Sequence, residues 1–443
     1  KSKHKKGYKE ILVYKNILLI TVFLLLTQCS LDTKTGFWTK SKITAEKKDN
    51  TEDIFKSKEV IKKEFNSNLK VKIKSPYLKN PFVNNLTNNS GYINFESDFK
   101  EISKFKFEKI KNFENINPDL LIAKDNSLVF FDEKGSILKF DNNSNLIWKK
   151  NYYNKKEKKQ NPAIYFATNN NILIAADNIA KIYAIKYSTG EILWKKFNSA
   201  SFNSEIKIFK DNVFLVDFEN VIRCISIKDG NELWNFSTEK SYIKSQRKLS
   251  LIIQNGLVIF IDTFGDINAL DIKTGNLVWQ SQTINEDVFE SAFLLKSSKL
   301  VSDGETVFLS NNQNKFFAID SGNGSIKWEQ TINSFLDPII IENLVFTISE
   351  EGYFFVIDKI NGNILRSTNI FNNLKNKNVL ASGFIIAKNF IYISLNNGKL
   401  LKVNIEDGKI NEIIKIDSNK ISRPYVQDKS MYILKDNAIV KIE

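Results

Sequence analysis

Histidine is nearly missing from this chain: His4 is the only one in 443 residues, and it lies in the extreme N-terminal segment. General acid–base catalysis draws most often on His, and zinc sites draw on His or Cys. Cysteine is just as scarce, with Cys29 and Cys224 alone. Two cysteines in such different surroundings supply no disulfide framework. Cys224 falls in the strand-like run Val221-Ile222-Arg223-Cys224-Ile225, where it reads as a small buried hydrophobe. No catalytic residue, metal ligand or cofactor is expected from these pools. Nor does any apolar run reach the roughly 20 residues that a membrane-spanning helix needs. The formal charge is +14, yet the lysines are spread along the chain and many sit beside acids, as from Lys155 to Lys159. A nucleic-acid surface would concentrate them with interleaved aromatics, so a solvated, mildly cationic exterior is the better reading.

What is present begins with an address. Lys1, Lys3, Lys5, Lys6, Lys9 and Lys15 precede the run Ile17 to Leu26, which only Thr21 interrupts. That length suits the roughly 7–15-residue core of an export signal. Leu26-Thr27-Gln28-Cys29 follows and resembles the bacterial lipoprotein processing box, though Gln28 stands where a small residue is usual. The resemblance implies a signal peptide over 1–28 and lipidation of Cys29 as the first mature residue. Ser30, in place of an aspartate, implies release to the periplasmic face of the outer membrane. Residues 29–95 are polar and lysine-rich without a sustained period of 2 or 3.6, which predicts a flexible lipidated tether. Phe82 and Leu86 are the points at which it would dock onto the body.

The remainder repeats itself. Copies of one hairpin end at Trp148, Trp194, Trp234, Trp279 and Trp328, and two degenerate copies end at Arg366 and Glu412. A spacing of roughly 40–50 residues signals a propeller blade, a kelch-like unit or a helical pair. Short β-branched and aromatic runs, such as Leu257 to Ile261 and Ile391 to Leu395, alternate with Gly or Asn turn signals, so the units are built of strands. Gly190, Gly230, Gly275, Gly324, Gly362 and Gly408 occupy one place between two strands, where a tight turn calls for positive φ. Each Trp closes the outer strand as a large apolar plate with one N–H to satisfy. Successive tryptophans would point into successive blade junctions rather than toward one ligand, which makes them structural.

The pattern apolar-Asp-x-x-x-Gly-x-x-x-Trp, clearest in Ala184 to Trp194 and Ala269 to Trp279, resembles the PQQ-like propeller repeat over roughly residues 116–416. Together with the lipobox, it resembles the BamB-type outer-membrane assembly lipoproteins. The resemblance implies an all-β, eight-bladed propeller of four-stranded antiparallel blades over 96–443. Seven motif units are visible. The strands Tyr425 to Ile442 lack a Gly–Trp hairpin, and the alternating segment Phe99 to Ile110 can supply their missing outer strand and remove the exposed edges. A seven-bladed ring with a separate N-terminal flap is the other arrangement.

The same resemblance implies a non-catalytic scaffold of the β-barrel assembly machinery, docked on a periplasmic POTRA domain of a BamA-like partner alongside other assembly subunits. A propeller that takes a small ligand or peptide in its channel is the alternative. A PQQ-dependent dehydrogenase is a further one, although such enzymes carry an adjacent cysteine pair that this chain lacks. The contact surface is expected on two loops after middle blades. One runs from Thr238 to Lys248 with Tyr242, Ile243 and Arg247, and the other from Thr283 to Glu290 with Glu286, Asp287 and Glu290. An exposed aromatic, an aliphatic and an arginine beside acids is the composition of a binding hot spot with a polar rim.

Overall fold

The computed structural model describes residues 61–443, apart from 84–85, 117, 239–247, 284–294, 373 and 375–377. Eight antiparallel sheets follow one another along the chain. Blades 1 to 7 cover residues 121–150, 164–197, 207–237, 251–281, 301–330, 339–369 and 381–415, each with four strands in chain order from the centre outward. Blade 8 takes three strands from the C-terminus, Tyr425–Gln427, Ser430–Lys435 and Ala438–Ile442. Its outer strand is Glu101–Lys106, with Phe105 opposite Ile439. The ring is closed by pairing the two ends of the body, and the blade count is eight.

Burial explains the composition of the strands. The inner three strands of a blade are covered by neighbouring blades on both faces, so runs such as Leu128–Phe131 and Val258 to Ile261 are buried at every position. Period-2 alternation is lost there, as it is wherever both faces of a strand are covered. The outer strand is different. In Leu146–Lys150 only Trp148 is buried. A β-bulge within the hairpin, for example between Ala269 and Leu270 opposite the Trp279 strand, accompanies each Trp-bearing copy.

A second turn repeats between the two middle strands. Asp132 accepts hydrogen bonds from the backbone of Lys134 and Ser136, and Asp177 from Ile179 and Lys181. Asp217, Asp262 and Asn311 do the same for blades 3, 4 and 5. The side chain substitutes for the missing backbone acceptor of the turn.

Residues 61–95, read from the sequence as tether, are packed on the propeller. Phe65 pairs with Ser367 on the outer edge of blade 6, and Val71 is buried in the apolar cluster of blades 6 and 7. Tyr92–Ile93 adds a parallel strand to the inner strand of blade 7, with Tyr92 opposite Ile386. The sparse apolar residues of this segment go into grooves that the blades already provide, so no periodic pattern of its own was needed. The expected docking points hold: Phe82 stacks edge-on against Tyr425, and Leu86 packs on the core of blades 3 to 5. Cys29 and the lipobox lie outside the described residues.

Candidate functional site

The repeated tryptophans sit at the seams between blades. The indole N–H of Trp148 donates to the carbonyl of Tyr187 at 3.1 Å, three residues before Gly190 of the next blade. Trp194, Trp234, Trp279 and Trp328 repeat the contact with Ile227, Ile272, Ser321 and Lys359, again three residues before Gly230, Gly275, Gly324 and Gly362. Those glycines, with Gly190 and Gly408, have φ between 71° and 76°. Space binds them as tightly as backbone angle. A Cβ on Gly275 would lie 2.6 Å from the indole of Trp234, and one on Gly324 would lie 2.5 Å from that of Trp279. Blade 1 shows the converse. Its turn has Ser144 at φ 66°, because blade 8 ends in a borrowed strand and brings no tryptophan to this seam. Each of these contacts joins one blade to the next.

The polar feature that sequence reasoning missed lies in the central channel. Asp119, Glu205, Lys299, Asp337 and Arg423 each stand two residues before an inner strand, and Lys248 stands three before. With Lys207 they face a cavity of about 180 Å³. Asp119 accepts hydrogen bonds from Lys248, from Lys299 at 3.0 Å and from the Tyr425 hydroxyl at 3.1 Å. Lys299 also pairs with Glu205 at 2.9 Å, and Arg423 pairs with Asp337. A signal existed in the sequence: Ser204-Glu205, Ser298-Lys299 and Ser422-Arg423. In each, the Ser hydroxyl accepts from the backbone N–H twelve residues on. The serine fixes the entry to the blade, and the next residue turns inward.

Electrostatics follow from that convergence. Burial opposes ionisation of Asp119, but the Lys248 and Lys299 ammonium groups outweigh it and hold the carboxyl well below the usual range. Glu205 is likewise penalised by burial, yet Lys207, Lys299 and Lys248 hold it at about 2. Burial pulls Lys207 down, and Glu205 does not fully compensate.

One end of this channel is closed. Asn88 donates to Ile253 and accepts from the backbone of Ser302, Asn89 exchanges hydrogen bonds with Ile340, and Asn80 with Asp428. These partners lie toward the far ends of the inner strands, opposite the charged residues at their starts. The described residues of 80–83 and 86–93 thus lie across one end of a cup, and Phe82 stands beside Tyr425 and the Arg423 guanidinium. The charged residues stand toward the opposite end, on the face of the inter-blade connections.

Of the expected contact loops, Tyr242, Ile243, Arg247, Glu286, Asp287 and Glu290 all lie outside the described residues. Their flanks are described. The first loop leads directly into Lys248 at the mouth of the cup, and the second leads toward Lys299. Cys224 is buried within blade 3 opposite Trp234, its thiol pushed up to about 12 by burial. Among the described residues no three His, Cys, Asp or Glu side chains converge to hold a metal ion.

A family model described as "Outer membrane protein assembly factor BamB" matches residues 133–368, just over half of the chain. Outer membrane protein assembly factor BamB of Moranella endobia is 23% identical over 264 residues, which are 58% of this chain and 66% of that relative. The chain therefore spans just under two thirds of that relative's length. The crystal structure of BamB from Moraxella catarrhalis superposes with a TM-score of 0.63 at 14% identity, over 78% of this chain and 97% of that one. Quinohemoprotein alcohol dehydrogenase from Comamonas testosteroni superposes with a TM-score of 0.59 at 10% identity, over 79% of this chain and 78% of that one. At these identities the superpositions show a shared fold.

Proposed function

The chain belongs to the family of outer membrane protein assembly factor BamB, and from that premise we infer that it is a non-catalytic scaffold lipoprotein of the outer-membrane β-barrel assembly machinery. The observation that carries this reading is the way the described chain is spent. Eight blades make a closed ring, and the described residues of the segment 61–95 brace it and line one end of its channel. A rigid ring with loops gathered on one face is suited to holding another protein in a fixed pose.

The partner on this reading is a periplasmic POTRA domain of a BamA-like protein, with Tyr242, Ile243, Arg247, Glu286, Asp287 and Glu290 on the contact loops. The tether is lipidated at Cys29 after removal of residues 1–28, which sets the protein on the periplasmic face of the outer membrane. The chemistry is positional, and no bond is made or broken.

Two measurements test it. Replacing Tyr242 and Arg247 together by Glu should leave thermal unfolding unchanged and weaken capture of a BamA-like POTRA segment. Undiminished capture by that folded variant places the contact elsewhere. The intact mass of the protein from its native membrane should correspond to a chain starting at Cys29 with attached lipid, and an unmodified Cys29 would remove the anchor from this reading.

A further inference from the structure

The described lining of the cup carries one more cation than anion. Among its described lining residues, the cations of Lys207, Lys248, Lys299 and Arg423 face the carboxylates of Asp119, Glu205 and Asp337. The carboxylates are taken. Asp119 is held by Lys248 and Lys299, Asp337 by Arg423 and the backbone N–H of Lys299, and Glu205 by Lys299 at 2.9 Å and the Ser250 hydroxyl at 3.1 Å. Lys207 is left with Glu205 at 3.8 Å, beyond hydrogen-bond reach. Its ammonium therefore faces the cavity paired only with Glu205, which it shares with Lys299 and does not hydrogen-bond. Such a group is poised to gain from an anion that can come closer.

The rest of the wall is apolar and aromatic. Tyr165, Phe166, Ile252, Phe82 and Tyr425 all face the same cavity. Residues 81–82 and 87–90 line one end of this cavity, and a volume of about 180 Å³ suits a small molecule.

We propose that the central cup is a binding site for a small organic monocarboxylate, with the carboxylate against Lys207 and the apolar body among Tyr165, Phe166 and Ile252. Among the described lining residues one excess positive charge matches a monoanion, whereas a dianion would leave a negative charge unpaired there. The site borders the first loop assigned to the partner, which ends at Lys248, but its test reads small-molecule binding by the chain alone and so is decided independently of the scaffold reading.

The test is calorimetric titration of the full chain at low ionic strength with benzoate, with benzamide as its neutral isostere, and with inorganic phosphate. Saturable benzoate binding is expected, with benzamide and phosphate at least about tenfold weaker, and the benzoate signal should fall as salt rises. Lys207→Met should weaken benzoate by about tenfold or more with no loss of thermal stability, since Glu205 keeps Lys299 and Ser250. No saturable benzoate binding, equal binding of benzamide, or phosphate binding as tight as benzoate would each overturn the assignment. The first three titrations use the unaltered chain, so they decide the matter whatever the variant's fold. Benzoate affinity unchanged in a folded Lys207→Met protein would also overturn it.

Discussion

The guanidinium of Arg366 donates to the carbonyl of Ile405 at 2.8 Å, three residues before Gly408. That is the acceptor position which a tryptophan N–H uses at five other seams. Arg366 stands opposite Val356 as Trp328 stands opposite Ala318, so the arginine has taken the tryptophan's place in blade 6. It does more than a tryptophan could. It also donates to Glu406 at 2.6 Å and to Leu69 at 3.0 Å, and so ties the N-terminal segment to the seam. The side chain is fully buried with Phe354 beneath it, and burial draws its pKa down to about 10.

Arg366→Ala should therefore cost about 3–5 kcal/mol, because it leaves a cavity and strips three buried or half-buried carbonyls of their donor. Arg366→Trp should restore the Ile405 contact but not the Leu69 contact. Equilibrium unfolding would show Trp recovering part of the loss. Proteolysis should show the chain around residues 61–74 becoming cleavable in both variants. Protection of that segment in the Ala variant would mean that the arginine does not anchor it.

The glycines permit a cleaner separation of two causes. Gly275 and Gly256 have nearly the same φ, 75° and 78°, but a Cβ at 275 meets the Trp234 indole while one at 256 meets nothing within 4 Å. Gly256→Ala should cost about 1 kcal/mol from backbone strain alone. Gly275→Ala should cost about 2–4 kcal/mol, since the indole must also be displaced from its seam. Equal losses in urea titration would show that tryptophan docking places no demand on the glycine.

Trp279 closes the seam between blades 4 and 5 from a buried position. Trp279→Ala should cost about 3–5 kcal/mol, and capture of a POTRA partner should fall only in proportion to the unfolded fraction. A well-folded Trp279→Ala protein that has lost capture would place this residue in the contact instead.

The sequence made the hairpins legible because a turn is a local device: Gly190 and Trp194 are four residues apart, and their spacing repeats. Ring closure was legible because Phe105 and Phe107 alternate with lysines beside a C-terminus that lacks an outer strand. The channel was not, because Asp119, Lys248 and Lys299 are far apart in the chain and meet only when the ring closes. Residues 61–95 were unreadable as structure for a related reason. Asn88 and Asn89 are held by backbone groups of blades 4 to 6, and nothing in their own neighbours announces that. Arg366 looked like decay of the motif, because only the carbonyls of Ile405, Glu406 and Leu69 explain how an arginine substitutes for a tryptophan.

Asp262 contributes one part of the pH dependence. It is buried in the turn between the middle strands of blade 4, and burial, with the Asp266 charge behind it, raises its carboxyl to about 7. In the unfolded chain an aspartate titrates near about 4. The folded state thus holds a proton that the unfolded state has released. Its contribution to stability is complete below about pH 4, falls as pH climbs, and is gone above about pH 7. Asparagine should remove the penalty and keep the turn, because Asn311 fills the same place in blade 5 and accepts from Gln313 and Lys315. Asp262→Asn should therefore be more stable than the parent by about 1–3 kcal/mol at pH 8, with the gap closing toward pH 4–5. Urea denaturation at both pH values measures it, and a gap of the same size at pH 8 and pH 4.5 would show that Asp262 does not hold its proton in the folded protein.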